Sequence, residues 1–259
     1  SDLLQAAHFV KNHPQLYAIF ITNFSCGPDS FLLGYFREIM GDKPSLVLEL
    51  DSHTSDVGVD TRIEAFLDIV RGHREIQKSL HVSESKDDFL PATAQKEAGV
   101  LMIRDSEGKS IPLSDPRIHV LIPEMGRLNS RGLAAALRRE NIRATVWPTE
   151  DKALKRGREA GTCRECIPFQ LTTGSLLDYL DHRESDDEIV LFFMPKSHGP
   201  CRQGQYTVAV ERLIEKHRLR NALVFSLDDE CGFGELGTQF TKAVWHILII
   251  SDIFENIRN

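Results

Sequence analysis

The run IHVLIP (118–123), followed by NSRGLAAALRRENI (129–142) and ATVWP (144–148), decides the fold. An almost wholly apolar, β-branched run of this length reads as a strand buried on both faces. The next stretch repeats apolar side chains at helical spacing with arginines between them, and the last returns to a short strand pattern. Strand, helix and strand in so few residues make the crossover unit of a parallel sheet.

Working outward, the same rhythm recurs. TGSLLDYLDHR (173–183) reads as a helix, IVLFFMP (189–195) as a strand and GQYTVAVERLIEKHR (204–218) as a helix. ALVFSL (222–227) is a further strand, and a long helix closes the chain from about Glu235 to Asn259. Towards the N-terminus, LYAIFIT (16–22) and SLVLEL (45–50) are strands. SFLLGYFREIM (30–40) and TRIEAFLDIVRGHREI (61–76) are helices. Residues 81–116 are more polar, and LMIRDSEGKSIPL looks like a small hairpin with EGK at its tip. The expectation is therefore an α/β protein of two Rossmann-like units with mostly parallel sheets flanked by helices. The first unit spans 1–80, a connecting segment 81–116, and the second unit 117–259.

Composition narrows the function. Net charge is −7, from 31 basic and 38 acidic side chains, so nucleic acid is excluded as the main partner. The local basic exception, RGLAAALRRENIR (131–143), reads as a solvated amphipathic helix. YAIFI (17–21), IVLFFM (189–194) and AVWHILII (243–250) are too short to span a bilayer, and no secretory signal opens the chain. A cytoplasmic protein with no membrane partner is expected. The missing initiating Met suggests a piece of a longer polypeptide.

Chemistry concentrates in the five cysteines, an odd number that makes a poor disulfide framework. Cys26, Cys201 and Cys231 each follow a predicted strand and precede a helix, at the sheet edge where ligands bind in parallel α/β folds. GTCRECIPF (161–169) adds a CxxC pair, Cys163 and Cys166, just where a helical pattern ends at Gly161. A thioredoxin-type motif would open a helix after the first strand of a small domain, whereas this one sits well inside its unit. Cys201 in GPCRQGQY and Cys26 in NFSCGPDSF stand in Gly/Pro-framed loops. Together Cys26, Cys163, Cys166 and Cys201 supply four thiolates, which suits a [4Fe–4S] cluster or a structural zinc. One pair plus two isolated cysteines from two units favours the cluster.

Other patterns carry less. GFGELG after Cys231 matches a dinucleotide loop, but Asp228, Asp229 and Glu230 before it would repel a pyrophosphate. No phosphate-binding GxxxxGK[ST] occurs. Glu49, Asp51, His53 and Asp56 fit either a hard-metal or general-base site or a helix-capping loop. The remaining histidines read as surface or satisfied core residues.

The runs TNFSCGPDSFLLGYF, KPSLVLELDSHTSDVGVDTRIEAFLDI, CxxCIPFQLTTGSLLDYL and FFMPKSHGPCRQGQY resemble the large activase-related proteins of the 2-hydroxyacyl-CoA dehydratase family. The resemblance covers nearly the whole chain and is weakest at 81–116. It implies the dehydratase-like iron–sulfur portion of such a protein. Its [4Fe–4S] cluster would be held by Cys26, Cys163, Cys166 and Cys201 and fed electrons by an ATP-hydrolysing activator module of the same or a sister chain. A homodimer is compatible with it. The activator's ATP module is absent and no acyl-CoA site is identifiable by residue, so this portion is not expected to be active alone. A zinc-binding or structural module for assembly of the parent protein is the alternative. Cys231 is left without a ligand role.

Overall fold

The computed structural model describes residues 2–23, 27–52, 54–79, 89–97, 100–161, 165–196, 201–226 and 233–258. The chain divides into two compact units, Ser1–Asp87 and Asp88–Asn259.

In the first unit, α1 (Asp2–Asn12), β1 (Ala18–Thr22), α2 (Asp29–Met40), β2 (Ser45–Glu49) and α3 (Asp56–Ser79) follow in order. β1 and β2 pair in parallel, from Ala18 opposite Ser45 to Thr22 opposite Glu49. Ala7 of α1, Phe20 of β1 and Leu33, Phe36 and Met40 of α2 make the core, with the Phe20 and Phe36 rings 5.1 Å apart. Two lysines close the helices. The last carbonyls of a helix lack partners and carry the negative end of its dipole, so a cation there is favourable. Lys11 donates to the Met40 carbonyl (2.7 Å), and the buried Lys43 donates to those of Val10 (2.6 Å), Lys11 (3.2 Å) and His13 (2.5 Å).

The second unit opens with an antiparallel meander of β3 (Thr93–Glu97), β4 (Val100–Arg104) and β5 (Ser110–Pro112). Its parallel part runs β6 (Ile118–Pro123), α4 (Arg127–Arg139), β7 (Ala144–Trp147), α5 (Asp151–Ala160), α6 (Ile167–His182) and β8 (Ile189–Phe193). A 3₁₀ turn (Arg202–Gln205), α7 (Tyr206–Lys216), β9 (Ala222–Phe225) and α8 (Phe233–Arg258) complete it. The strands lie side by side in the order β7-β6-β8-β9, all parallel. All six residues of β6 and all five of β8 are buried, as expected for central strands covered on both faces. The α/β class, with parallel sheets flanked by helices, is thus the observed one. The first unit's described sheet has two strands, fewer than a Rossmann unit would have.

Side-chain alternation sorts the second unit's core. Ile118, Val120 and Ile122 point with Leu191, Phe193 and Leu223 into one cluster, beneath Leu133 and Leu137 of α4 and Phe240 of α8. Ala92, Leu101, Ile103 and Ile111 join it, so residues around the meander, read from sequence as a connection, belong to this unit's core. β3 was not legible as a strand because TAQKE lacks apolar alternation.

His119 points to the opposite face. Its Nδ1 lies 2.9 Å from Glu188 Oε1 and 2.6 Å from Tyr179 Oη, and its Nε2 lies 2.8 Å from Thr145 Oγ1. Tyr179 donates to Glu188 Oε2 at 2.8 Å, and Arg143 lies 3.0 Å from Glu188 Oε1. A carboxylate only accepts, so the neutral ring that fits carries its proton on Nδ1 and accepts from Thr145. This is a satisfied core histidine. Burial above all disfavours its charged form and Arg143 adds to this, while Glu188 works against both.

α5 and α6 pack backbone on backbone. A Cβ on Gly174 would overlap the Ala153 carbonyl oxygen, standing 2.6 Å from its carbon and 2.8 Å from the Gly157 nitrogen. A Cβ on Gly157 would overlap the Gln170 carbonyl in the same way. Positions 153 and 157 therefore lie against 174 and 170, which makes α5 and α6 an antiparallel hairpin with Gly161 and Cys166 at its elbow.

Candidate functional site

Strand order reverses between β6 and β8: the chain leaves β6 for β7 on one side and later returns to β8 on the other. In open parallel sheets the crevice at such a reversal, beyond the carboxyl ends of the strands, is the usual ligand position. β8 ends on that side, and Cys201 stands at the head of the 3₁₀ turn before α7.

Cys166 caps α6 in extended conformation (φ −65°, ψ 150°), and Pro168 occupies the first turn, where its missing N–H costs nothing. Gln170 braces the elbow. Its side chain donates to the Glu165 carbonyl (2.9 Å), accepts from Arg158 of α5 (3.3 Å), and is buried.

Tyr206, the first residue of α7, meets Cys166. It is 5% exposed, its ring meets Phe169 edge-on at 5.1 Å, and its Oη lies 2.6 Å from Cys166 Sγ. Its ionisation is pushed far above the ordinary phenol range. Burial is the largest cause, followed by the hydrogen bond to Cys166 and the charges on Cys166 and Cys201, against a pull from Arg202. A phenol held protonated in this way keeps a proton to donate to a thiolate. Cys166 is half-buried and Cys201 exposed, and both are free thiols.

The structure therefore sets Cys166 against Tyr206, at the end of the 3₁₀ turn that Cys201 begins. Cys26, Cys163 and Cys231 lie outside the described residues, as do His53 and residues 227–232 with the start of GFGELG. No group of three or more His, Cys, Asp or Glu side chains able to hold a metal occurs among the described residues. Tyr206 is the residue of this candidate site that sequence reading missed. The available signal was an aromatic hydroxyl five residues after Cys201, in GPCRQGQY.

The acidic loop of the first unit lines a cleft of about 310 Å³ at the end of β2, with Glu49, Asp51, Thr54, Ser55 and Arg62 around it. Thr54 Oγ1 donates to Asp51 Oδ1 and accepts from the Asp51 amide, both at 2.7 Å. That geometry is a closed turn ahead of α3.

The chain matches no protein-family profile, no curated protein and no solved structure. Among the described residues, no helix is long and apolar enough to cross a membrane.

Proposed function

We propose that this protein binds an iron–sulfur cluster through Cys26, Cys163, Cys166 and Cys201 and passes single electrons at low potential. Its electron donor is an ATP-hydrolysing activator module on the same or a sister chain, as in the dehydratase-like proteins its cysteine motifs resemble. The observation that carries this reading is the contact of Cys166 with the Tyr206 hydroxyl, with Cys201 at the head of the 3₁₀ turn that leads into Tyr206.

The donor chemistry fits: soft thiolates are the ligands iron–sulfur clusters take. When bound, the cluster supplies a one-electron reservoir. The chain's own residues do the rest. Cys166 and Cys201 offer accessible sulfurs, and Tyr206 donates to the Cys166 sulfur and so favours added negative charge there. Phe169 holds the buried Tyr206 ring edge-on, and Gln170 fixes the elbow from which Cys166 projects.

Iron and acid-labile sulfide, measured after anaerobic reconstitution, test the reading. About four of each per chain are expected, with loss in Cys166→Ala and in Cys201→Ala. Zinc in place of iron, or iron binding that neither substitution reduces, would overturn it.

A further inference from the structure

Helix α4 carries four arginines that nothing described pairs. Its inner side is set by Leu133, Ala134 and Leu137, all buried in the core, and by Gly132, against which Ile247 of α8 presses. At about 100° of turn per residue, Arg131 and Arg138 fall within about 40° of Arg127 on the side left free, and Arg139 lies on its shoulder. All four are exposed. At a rise of about 1.5 Å per residue the row from Arg127 to Arg138 covers about 16 Å, in steps of about 6 and 10 Å. Leu128 and Ala135 are the uncharged residues beside it.

These charges sit where they disfavour the fold. Arg127 opens α4, so it stands at the positive end of the helix dipole, and the first turn holds no acidic residue to offset it. Arg127 and Arg131 are four residues apart, a spacing at which like charges on a helix repel. Among the described residues none of the four arginines has a carboxylate partner, whereas Arg117, Arg156, Arg183 and Arg220 each meet one. A surface shaped only by solubility intersperses both signs. An unrelieved row of one sign, on a chain whose net charge is −7, departs from that, and departures of this kind concentrate at functional positions.

We propose that the arginine row of α4 is a docking surface for an acidic segment of a partner protein. Asp or Glu at i, i+4 and i+11 of a helix repeats the steps of about 6 and 10 Å, and each guanidinium takes a carboxylate through two N–H groups at once. Arginine is also among the residues enriched at protein interfaces. Two other anionic partners fit less well. A nucleic-acid duplex carries charge along its whole length and would run off this short row onto a surface more acidic still than the chain as a whole. A lipid surface takes up the apolar face of a helix, and the apolar side of α4 is buried. The proposal does not depend on the cysteines binding metal, since every residue it uses lies on α4.

The test uses the whole chain and a fluorescently labelled poly-L-glutamate peptide, with binding read by anisotropy at low and at physiological salt. Saturable binding that weakens with salt but persists at the physiological level is expected. Arg131→Gln with Arg138→Gln should weaken it on the order of tenfold, through the loss of two exposed ion pairs. Both side chains are exposed and glutamine is a good helix former, so far-UV circular dichroism should hold. Lys152→Gln with Lys155→Gln removes two exposed cations from α5 instead and should leave the affinity within about twofold. Absence of binding at physiological salt, or equal weakening by the two pairs of substitutions, would overturn the proposal. So would tighter binding of duplex DNA or of phosphatidylserine vesicles through the same arginines.

Discussion

Replacing Gly174 by Ala adds one methyl group where α6 meets α5. The new carbon would sit against main-chain atoms of Ala153 and Gly157, which have no rotamer through which to escape. Ordinary contacts between such atoms are about 3.5–4.0 Å, so distances of 2.6 and 2.8 Å require the helices to part by about 1 Å. Overpacking of this kind costs about 1–3 kcal/mol, and backbone on the receiving side puts Gly174 at the upper end. Alanine returns about 1 kcal/mol through its better helix propensity. The net expectation is a loss of about 2 kcal/mol, or roughly 4–8 °C in melting temperature for a unit of this size. Both tryptophans, Trp147 and Trp245, belong to the second unit, so their fluorescence during thermal or urea unfolding reports that unit. Gly72→Ala in α3, where an added Cβ meets nothing within 4 Å, should do the opposite and stabilise the first unit by up to about 1 kcal/mol. A Gly174→Ala protein as stable as the original, or more so, would refute the claim that the hairpin closes backbone to backbone.

Two further outcomes follow from named contacts. Tyr206→Phe keeps the ring against Phe169 and removes the hydroxyl at Cys166. The reconstituted protein should retain its iron but show a more negative midpoint potential by redox titration, and an unchanged potential would deny Tyr206 that influence. His119 is disfavoured as a cation in the fold, so its contribution to stability is complete above the unfolded histidine pKa of about 6.5. It is lost as pH falls from there towards the lowered folded value, by at most about 1.4 kcal/mol per pH unit. In His119→Gln the melting temperature of the second unit should depend less on pH below about 6.5, and an identical profile in both proteins would contradict this.

The central strands were readable because burial on both faces leaves a plain mark: β6 and β8 are unbroken apolar runs. α6 was readable only in its second half. Its first turns hold Phe169, Gln170, Thr172 and Thr173, all buried and mixed in polarity, because α5 covers them. A helix enclosed in this way shows no amphipathic period, although Pro168 marked its true start. β3 was obscured for the converse reason, being an edge strand of polar residues. The cysteines stand out in the sequence by their glycine and proline settings. Their relation to Tyr206 does not, because it depends on the α5–α6 turn-back and a tyrosine opening a helix looks like any core aromatic. The acidic loop at 49–56 fitted two readings in sequence, and Asp51 with Thr54 closes a turn there.

The reciprocal lysines of the first unit tie the fate of α1 to that of α2. Lys11 belongs to one helix and holds the end of the other, while Lys43 follows α2 and gathers three carbonyls at the end of α1. Fraying of α1 would strand the buried Lys43 ammonium without acceptors and release the Met40 carbonyl at once. Neither helix end can open alone at the low free energy usual for a terminus. Amide protons in the last turns of both helices should therefore exchange with solvent in a single step, as though residues 9–13 and 37–43 were one short element folded back on itself.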